Sequence, residues 1–114
     1  MIALDKVIKS SNLLSSPIER ICEIKKYLNT KDKMDFAKEY LDVVNKHVED
    51  YPNCESFVAF IFFNLMVIKY YTNIDLKLTY EEFDALQSNG LINKIVDYIG
   101  EDYTLLLKLV QMSA

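Results

Sequence analysis

The longest apolar stretch of the chain lies near its middle, at residues 57–68, where Asn64 is the only polar side chain. A helix over this stretch has no polar face, so it must be buried on every side or embedded in lipid. A membrane span needs about 20 mostly apolar residues, and Glu55 and Lys69 bound this run. A buried pair of strands is the other interpretation, but no turn signal interrupts the run. The pattern therefore predicts a buried central helix over about residues 54–71.

Apolar residues recur at spacings of three and four before the central run, which is typical of amphipathic helices. The Ser-Pro-Ile-Glu sequence that begins at Ser16 predicts a capped helix start, and the apolar spacing continues to Leu28 before Asn29 ends the helix. A second stripe predicts a helix over about residues 32–50. Asn53 follows its end and is placed to cap the central helix.

The C-terminal half carries the clearest helix boundaries. Thr79 and Glu82 have the spacing of a capping box at the start of a helix. Gly90 stands where that helix would end in a left-handed residue. A short helix is then expected over residues 91–99, and Asp102 is placed to cap a last, largely apolar helix.

These elements predict an all-α fold, a compact single-domain bundle of five to seven helices around the helix at about 54–71. Residues 1–15 are expected to form an N-terminal arm or a short helix, and residues 16–114 the helical domain. The predicted core consists of Ile21, Phe36, Tyr40, Leu41, Val44, Phe57, Phe60, Ile61, Leu65, Ile68, Phe83, Leu86, Ile92, Ile95, Val96, Leu106 and Leu109.

The charge of the chain limits the classes of partner that it is expected to bind. The net charge is −4 over 114 residues, which argues against nucleic acid as a partner because phosphate binding needs clustered Lys and Arg. Residues 1–33 carry a net +3 and residues 70–114 a net −4, so the two ends attract each other within one chain or between copies.

Cys22 and Cys54 fall on apolar faces and predict two free, buried thiols. With no apparent signal peptide, we expect a cytoplasmic protein without a membrane anchor.

The inventory of reactive residues is poor. His47 is the only histidine, and its spacing to the nearby acids and to Cys54 matches no zinc site. Gly90 and Gly100 stand alone, which excludes a glycine-rich phosphate loop. No serine lies in the context of a nucleophile elbow. We therefore expect no enzyme, no metal and no cofactor.

The residues that favour a protein partner lie in the C-terminal half. Acidic and tyrosine side chains concentrate there, and the last helix is too apolar to be freely exposed. Buried Asn64 is expected to find a tyrosine or carbonyl partner locally, or to mark a contact with another chain. The candidate partner-binding residues are Tyr80, Glu81, Glu82, Asp84, Tyr98, Tyr103, Leu105, Leu109 and Met112.

Three stretches carry a resemblance to a group of known proteins. They are Tyr-Tyr-Thr-Asn-Ile-Asp-Leu at 70–76, Gly-Leu-Ile-Asn-Lys-Ile-Val at 90–96 and Lys-Met-Asp-Phe at 33–36. The chain resembles small helical proteins of bacteriophages and prophages of low-GC Gram-positive bacteria. The resemblance implies a virion structural or assembly protein that acts in multiple copies, in the host cytoplasm or the virion. The alternative is a small acidic inhibitor or adaptor that blocks a host protein.

Overall fold

Seven helices and two short strands form the described part of the chain, residues 1–9 and 15–113 of a computed structural model. The prediction of an all-α domain of five to seven helices is confirmed. In chain order the elements are β1 (Ile2–Ala3), α1 (Leu4–Ile8), α2 (Ile18–Ile21), α3 (Thr30–His47), α4 (Glu55–Tyr71), β2 (Ile74–Asp75), α5 (Tyr80–Ser88), α6 (Leu91–Ile99) and α7 (Glu101–Ser113).

Helix α4 is the predicted central helix, and its bounds agree with the sequence to within one residue. Helix α3 packs along it, and α5, α6 and β2 contact it from other sides. Residues 61–68 are all buried because this half of α4 is surrounded. Buried Asn64 donates its amide to the carbonyl of Phe60 at 2.9 Å and accepts from the Tyr103 hydroxyl at 3.1 Å, which confirms a local role. No helix in the described ranges is long and apolar enough to cross a bilayer.

The end of α4 is held by extended backbone. β1 pairs in parallel with β2, placing Ile2 opposite Ile74. A single antiparallel bridge joins Ile24 to Thr72 on another part of this segment. The N-terminal residues are thereby tied to the chain that follows the central helix, and Val7 of α1 is buried in the core. The Ser-Ser-Asn stretch at 10–12, whose residue types are typical of a helix end, lies outside the described residues.

The helix predicted from Ser16 to Leu28 is wrong in most of its length. Helix α2 ends at Ile21, and it has no side-chain cap at its start. The chain then runs extended, because the backbone N–H of Lys25 donates to the carbonyl of Tyr71 at 2.8 Å and that of Asn73 to the carbonyl of Glu23 at 3.2 Å. These long-range bonds replace the helical ones.

Two helix caps also differ from the prediction. Asn29 begins a helix instead of ending one, since its side chain accepts from the backbone N–H of Asp32 at 2.8 Å. Asn53 does not cap α4. It has a left-handed φ of 70°, and Cys54 occupies the cap position without a side-chain bond.

The structure contradicts the predicted burial of two core residues and of one cysteine. Phe57 and Phe60 were predicted in the core, but their side chains are 59% and 50% exposed, because the described residues leave that face of α4 largely uncovered. Cys54 is exposed, while Cys22 is buried and burial raises the pKa of its thiol to about 11. Leu41 is only half-buried; Tyr40, Val44, Val96 and Leu109 are half-buried against the core.

The predicted boundaries of α5 are confirmed. The Thr79 hydroxyl accepts from the N–H of Glu82 at 3.2 Å, and the Glu82 carboxylate accepts from the N–H of Thr79 at 2.9 Å, which completes the capping box. Gly90 follows the helix with a φ of 71°. Local sequence signals are sufficient here because both partners of each contact lie within a few residues.

We expect Thr79→Ala to lower the free energy of unfolding by about 1 kcal/mol, since the substitution removes the side-chain half of the capping box. Thr104→Ala, on the exposed face of α7, serves as the control and should change stability by less than about 0.5 kcal/mol. Urea denaturation followed by circular dichroism measures both. Equal stability of the two variants would contradict an energetic role for this cap.

Candidate interaction surface

Helix α4 is buried along its C-terminal half but not along its N-terminal half. Phe57 and Phe60 stand together on the exposed side, with ring centroids 6.4 Å apart. We call this pair the ridge. Single exposed apolar residues are common on protein surfaces, whereas contiguous apolar patches are typical of binding sites. The surfaces on each side of the ridge decide whether these two rings are isolated exposed residues or part of a binding site.

On one side of the ridge, α3, α4 and α7 enclose an open groove of about 670 Å³. None of the described residues in its lining carries a charged side chain. The groove residues are Tyr40, Leu41, Val44 and Asn45 from α3, Ser56, Ala59, Phe60 and Phe63 from α4, and Tyr103, Leu107, Val110 and Gln111 from α7.

The base of the groove is held by aromatic contacts. The ring of Phe63 meets those of Tyr40 and Tyr103 edge to face, at 5.6 and 5.4 Å between centroids. Such pairs add to the stability gained from burial alone. Burial raises the pKa of both tyrosine hydroxyls. They therefore stay neutral under physiological conditions, and the groove keeps an uncharged lining.

On the other side of the ridge lies a smaller pocket of about 360 Å³, which we call the aromatic pocket. Four aromatic rings and one carboxylate dominate its lining. The residues are Tyr51, Cys54, Phe57, Val58, Ile61, Tyr80, Phe83 and Asp84.

Tyr80 of the aromatic pocket is fixed by a polar cluster at the end of α3. Its hydroxyl donates to Asp50 at 2.8 Å, and His47 Nδ1 lies 2.8 Å from the same carboxylate oxygen. The His47 ring stacks on Phe62 at 4.4 Å. Burial, together with the hydrogen bond to Asp50, raises the pKa of Tyr80 to about 12. Asp50 is therefore already occupied by two partners.

The structure distributes the acidic residues predicted at the partner site over different roles. The Glu82 carboxylate accepts from the backbone N–H groups of Lys77 and Thr79, so it serves the start of α5. Glu81 is exposed. Asp84 lines the aromatic pocket together with Tyr80.

The other predicted site residues lie on separate surfaces. Tyr98 lies under the Lys26 ammonium, 4.8 Å from its ring centroid, whereas Tyr103 belongs to the groove. Leu105 is 55% exposed on α7, and Leu109 packs partly against the core. The side chain of Met112 is outside the described part. Tyr80 and Asp84 are thus the predicted pair that shares one pocket.

The ridge was not among the predicted site residues, because an all-apolar run indicates burial equally at every position. No local signal separates Phe57 and Phe60 from their buried neighbours.

Within residues 1–9 and 15–113, no group of three or more His, Cys, Asp or Glu side chains is placed to hold a metal ion.

Helix α7 differs from its predicted beginning. Asp102 was expected to cap it, but the residue lies inside the first turn and is buried. Its carboxylate accepts the N–H of Leu28 at 3.1 Å, the hydroxyl of Tyr71 at 2.5 Å and the ammonium of Lys33 at 2.7 Å. The residues of this cluster lie far apart in the sequence. Together they hold in place the helix α7, which forms one wall of the groove.

Comparison of the chain with models of protein families, with curated proteins and with solved structures finds no match in any of the three. The chemistry of the ridge, the groove and the aromatic pocket therefore carries the functional proposal.

Proposed function

We propose that the protein is a non-catalytic protein–protein interaction module that works in multiple copies, as a virion structural or assembly protein of a phage. The observation that carries the proposal is the exposure of Phe57 and Phe60 on the most apolar helix of the fold, beside an uncharged groove. The partner that we assign to this face is a second copy of the chain.

The ridge offers enough apolar surface to contribute to binding. A phenylalanine side chain carries about 150–250 Å² of surface, so two rings that are 59% and 50% exposed leave roughly 200 Å² in water. At about 25 cal/mol per Å², burying them is worth roughly 5 kcal/mol for each copy before the cost of association. The groove lining adds to this.

The shape and charge of the face favour self-association. A two-fold interface uses the same patch on both copies, so the patch must be complementary to itself. A ridge beside a groove meets this condition, because a rotation by two-fold symmetry brings the ridge of each copy to the groove of the other. Each copy carries a net −4, and the uncharged lining lets the two approach without repulsion at the contact.

The opposed charges of the two ends have another use. Lys33 of the basic N-terminal third pairs with Asp102 of the acidic C-terminal part at 2.7 Å within one chain. Lys26 likewise lies over the ring of Tyr98. Part of the predicted attraction between the ends therefore acts inside the monomer, which leaves the apolar face as the stronger basis for contacts between copies.

We expect the wild-type protein to form a discrete oligomer, so that its average mass rises with concentration from that of the monomer to that of the oligomer. Phe60→Ser should remain a monomer. Static light scattering after size exclusion, over a range of concentration and salt, measures both masses. Leu105→Ser is the matched control: this leucine is about as exposed as Phe60 but lies outside the groove lining. The control variant should associate as the wild type does.

Two results would contradict the proposal. A wild-type mass that stays monomeric at every concentration would exclude self-association through this face. Loss of the oligomer in Leu105→Ser with its retention in Phe60→Ser would move the interface to the outer face of α7. High salt should strengthen the contact or leave it unchanged, because it is apolar and not ionic.

A further inference from the structure

The aromatic pocket combines ring surfaces with a single charge. Tyr51, Phe57, Tyr80 and Phe83 contribute rings, and among the described lining residues Asp84 alone is charged. We propose that this pocket binds the side chain of an arginine from a partner protein. The inference goes beyond the proposed function, since it concerns the opposite side of the ridge, although the ring of Phe57 belongs to both surfaces.

The rings provide the first part of the binding chemistry. The faces of aromatic rings are negative, so they attract a cation placed within about 6 Å of the ring centroid. Tyr51 and Tyr80 stand nearly perpendicular, at 86° with centroids 5.4 Å apart. Tyr51 and Phe57 are both more than half exposed. A flat guanidinium entering from solvent can therefore stack on one ring while it meets the edge or face of another.

Asp84 provides the second part. Its carboxylate is exposed at the pocket, and no Lys, Arg or His of residues 1–9 and 15–113 lies within ion-pair distance of it. Asp50, the other acid near Tyr80, is already bonded to His47 and to the Tyr80 hydroxyl. Asp84 is thus the acid that is free to pair with an incoming cation, and a carboxylate binds guanidinium through two parallel hydrogen bonds.

The same geometry argues against other cations. A hard metal ion needs several oxygen ligands, and the pocket lining offers one carboxylate. A lysine ammonium is a compact, strongly hydrated charge, whereas guanidinium is planar, weakly hydrated and suited to stacking on rings. The pocket is open to solvent beside the exposed ridge, so a side chain that projects from a folded partner can reach it.

The test is a titration of the isotope-labelled 114-residue chain with the peptide acetyl-Gly-Arg-Gly-amide, followed by two-dimensional NMR. The matched peptide carries citrulline, which has nearly the shape of arginine but no charge. We expect the arginine peptide to shift the resonances of pocket residues with a dissociation constant of about 1–10 mM. The citrulline peptide should bind at least about fivefold more weakly.

Variants locate the effect. Asp84→Asn should weaken binding of the arginine peptide at least about fivefold, because it removes the charge and keeps the shape. Glu81→Gln removes an exposed charge from the same helix outside the pocket lining and should leave the dissociation constant within about twofold. Tyr51→Ala should also weaken binding. It removes an exposed ring, so the fold is retained.

Three outcomes would overturn the inference. Equal shifts with both peptides would make the pocket an apolar site without preference for a cation. Equal weakening by Glu81→Gln and Asp84→Asn would indicate a diffuse effect of net charge. Tighter binding of tetramethylammonium than of the arginine peptide would assign the pocket to a small quaternary ammonium ligand and not to a protein side chain.

Discussion

Asp102→Ala is expected to lower the free energy of unfolding by about 3–5 kcal/mol, among the largest effects of any single substitution in this chain. The Asp102 carboxylate is 6% exposed and receives three hydrogen bonds, from Leu28, Lys33 and Tyr71. These donors belong to the extended segment before α3, to the first turns of α3 and to the end of α4. Removing the acceptor leaves the fully buried Tyr71 phenol without its partner. It also removes the counter-charge of the Lys33 ammonium, which is only 14% exposed and keeps the Leu28 carbonyl as an acceptor.

Acid should reproduce part of this loss. Burial favours the neutral form of Asp102, but the hydrogen bonds from Lys33, Tyr71 and Leu28 outweigh it and hold the pKa of the carboxyl below its usual range. A lowered pKa in the folded state contributes stability above the unfolded pKa of about 4, and that contribution is lost as pH falls through the folded value. The stability difference between wild type and Asp102→Asn should therefore be largest near neutral pH and shrink below about pH 4.

Guanidinium denaturation followed by circular dichroism, at neutral pH and at intervals below it, measures both effects. Asp97→Ala, at an exposed position of α6, should change stability by less than about 0.5 kcal/mol. A loss of less than about 1 kcal/mol for Asp102→Ala would show that the cluster does not tie the three segments together.

The contrast between Asp102 and Thr79 explains how much of the fold the sequence could predict. The capping box at Thr79 joins residues three apart, and its residue types are diagnostic of a helix start. Asp102 bonds to Leu28, 74 residues away, and nothing near either residue indicates the contact. The same reason explains the failure over residues 22–28, where the local spacing fits a helix but pairing with Tyr71 and Asn73 prevails.

The candidate site could be predicted only in part. Tyr80 and Asp84 were predicted because acidic and aromatic residues are recognisable types at an interface, and the structure places both in the lining of one pocket. The ridge was missed because hydrophobicity gives the tendency of a side chain to be buried, while the packing of other helices decides whether it is covered. In this fold residues 61–68 of α4 are surrounded and buried, whereas Phe57 and Phe60 lie on a face of its first half that the described residues leave largely uncovered.

Phe60 and Phe62 offer the sharpest test of that packing, since they lie two residues apart on one helix and differ in exposure. Phe62 is fully buried, with its ring against those of His47 and Tyr80 at 4.4 and 5.3 Å, whereas Phe60 is 50% exposed. Phe62→Ala should lower the free energy of unfolding by about 3–5 kcal/mol, because it leaves a cavity. Phe60→Ala, which the sequence alone would place in the same range, should cost about 1 kcal/mol or less.

The two alanine variants must be compared at a protein concentration where both are monomeric, because association adds to apparent stability. Urea denaturation monitored by circular dichroism gives the free energies. The folded fraction of Phe62→Ala should associate as the wild type does, because its ridge is unchanged. Phe60→Ala should unfold like the wild type and fail to associate. A large loss of stability in Phe60→Ala would mean that this ring is covered in solution, and the ridge, the groove and the proposed contact between copies would then have to be abandoned together.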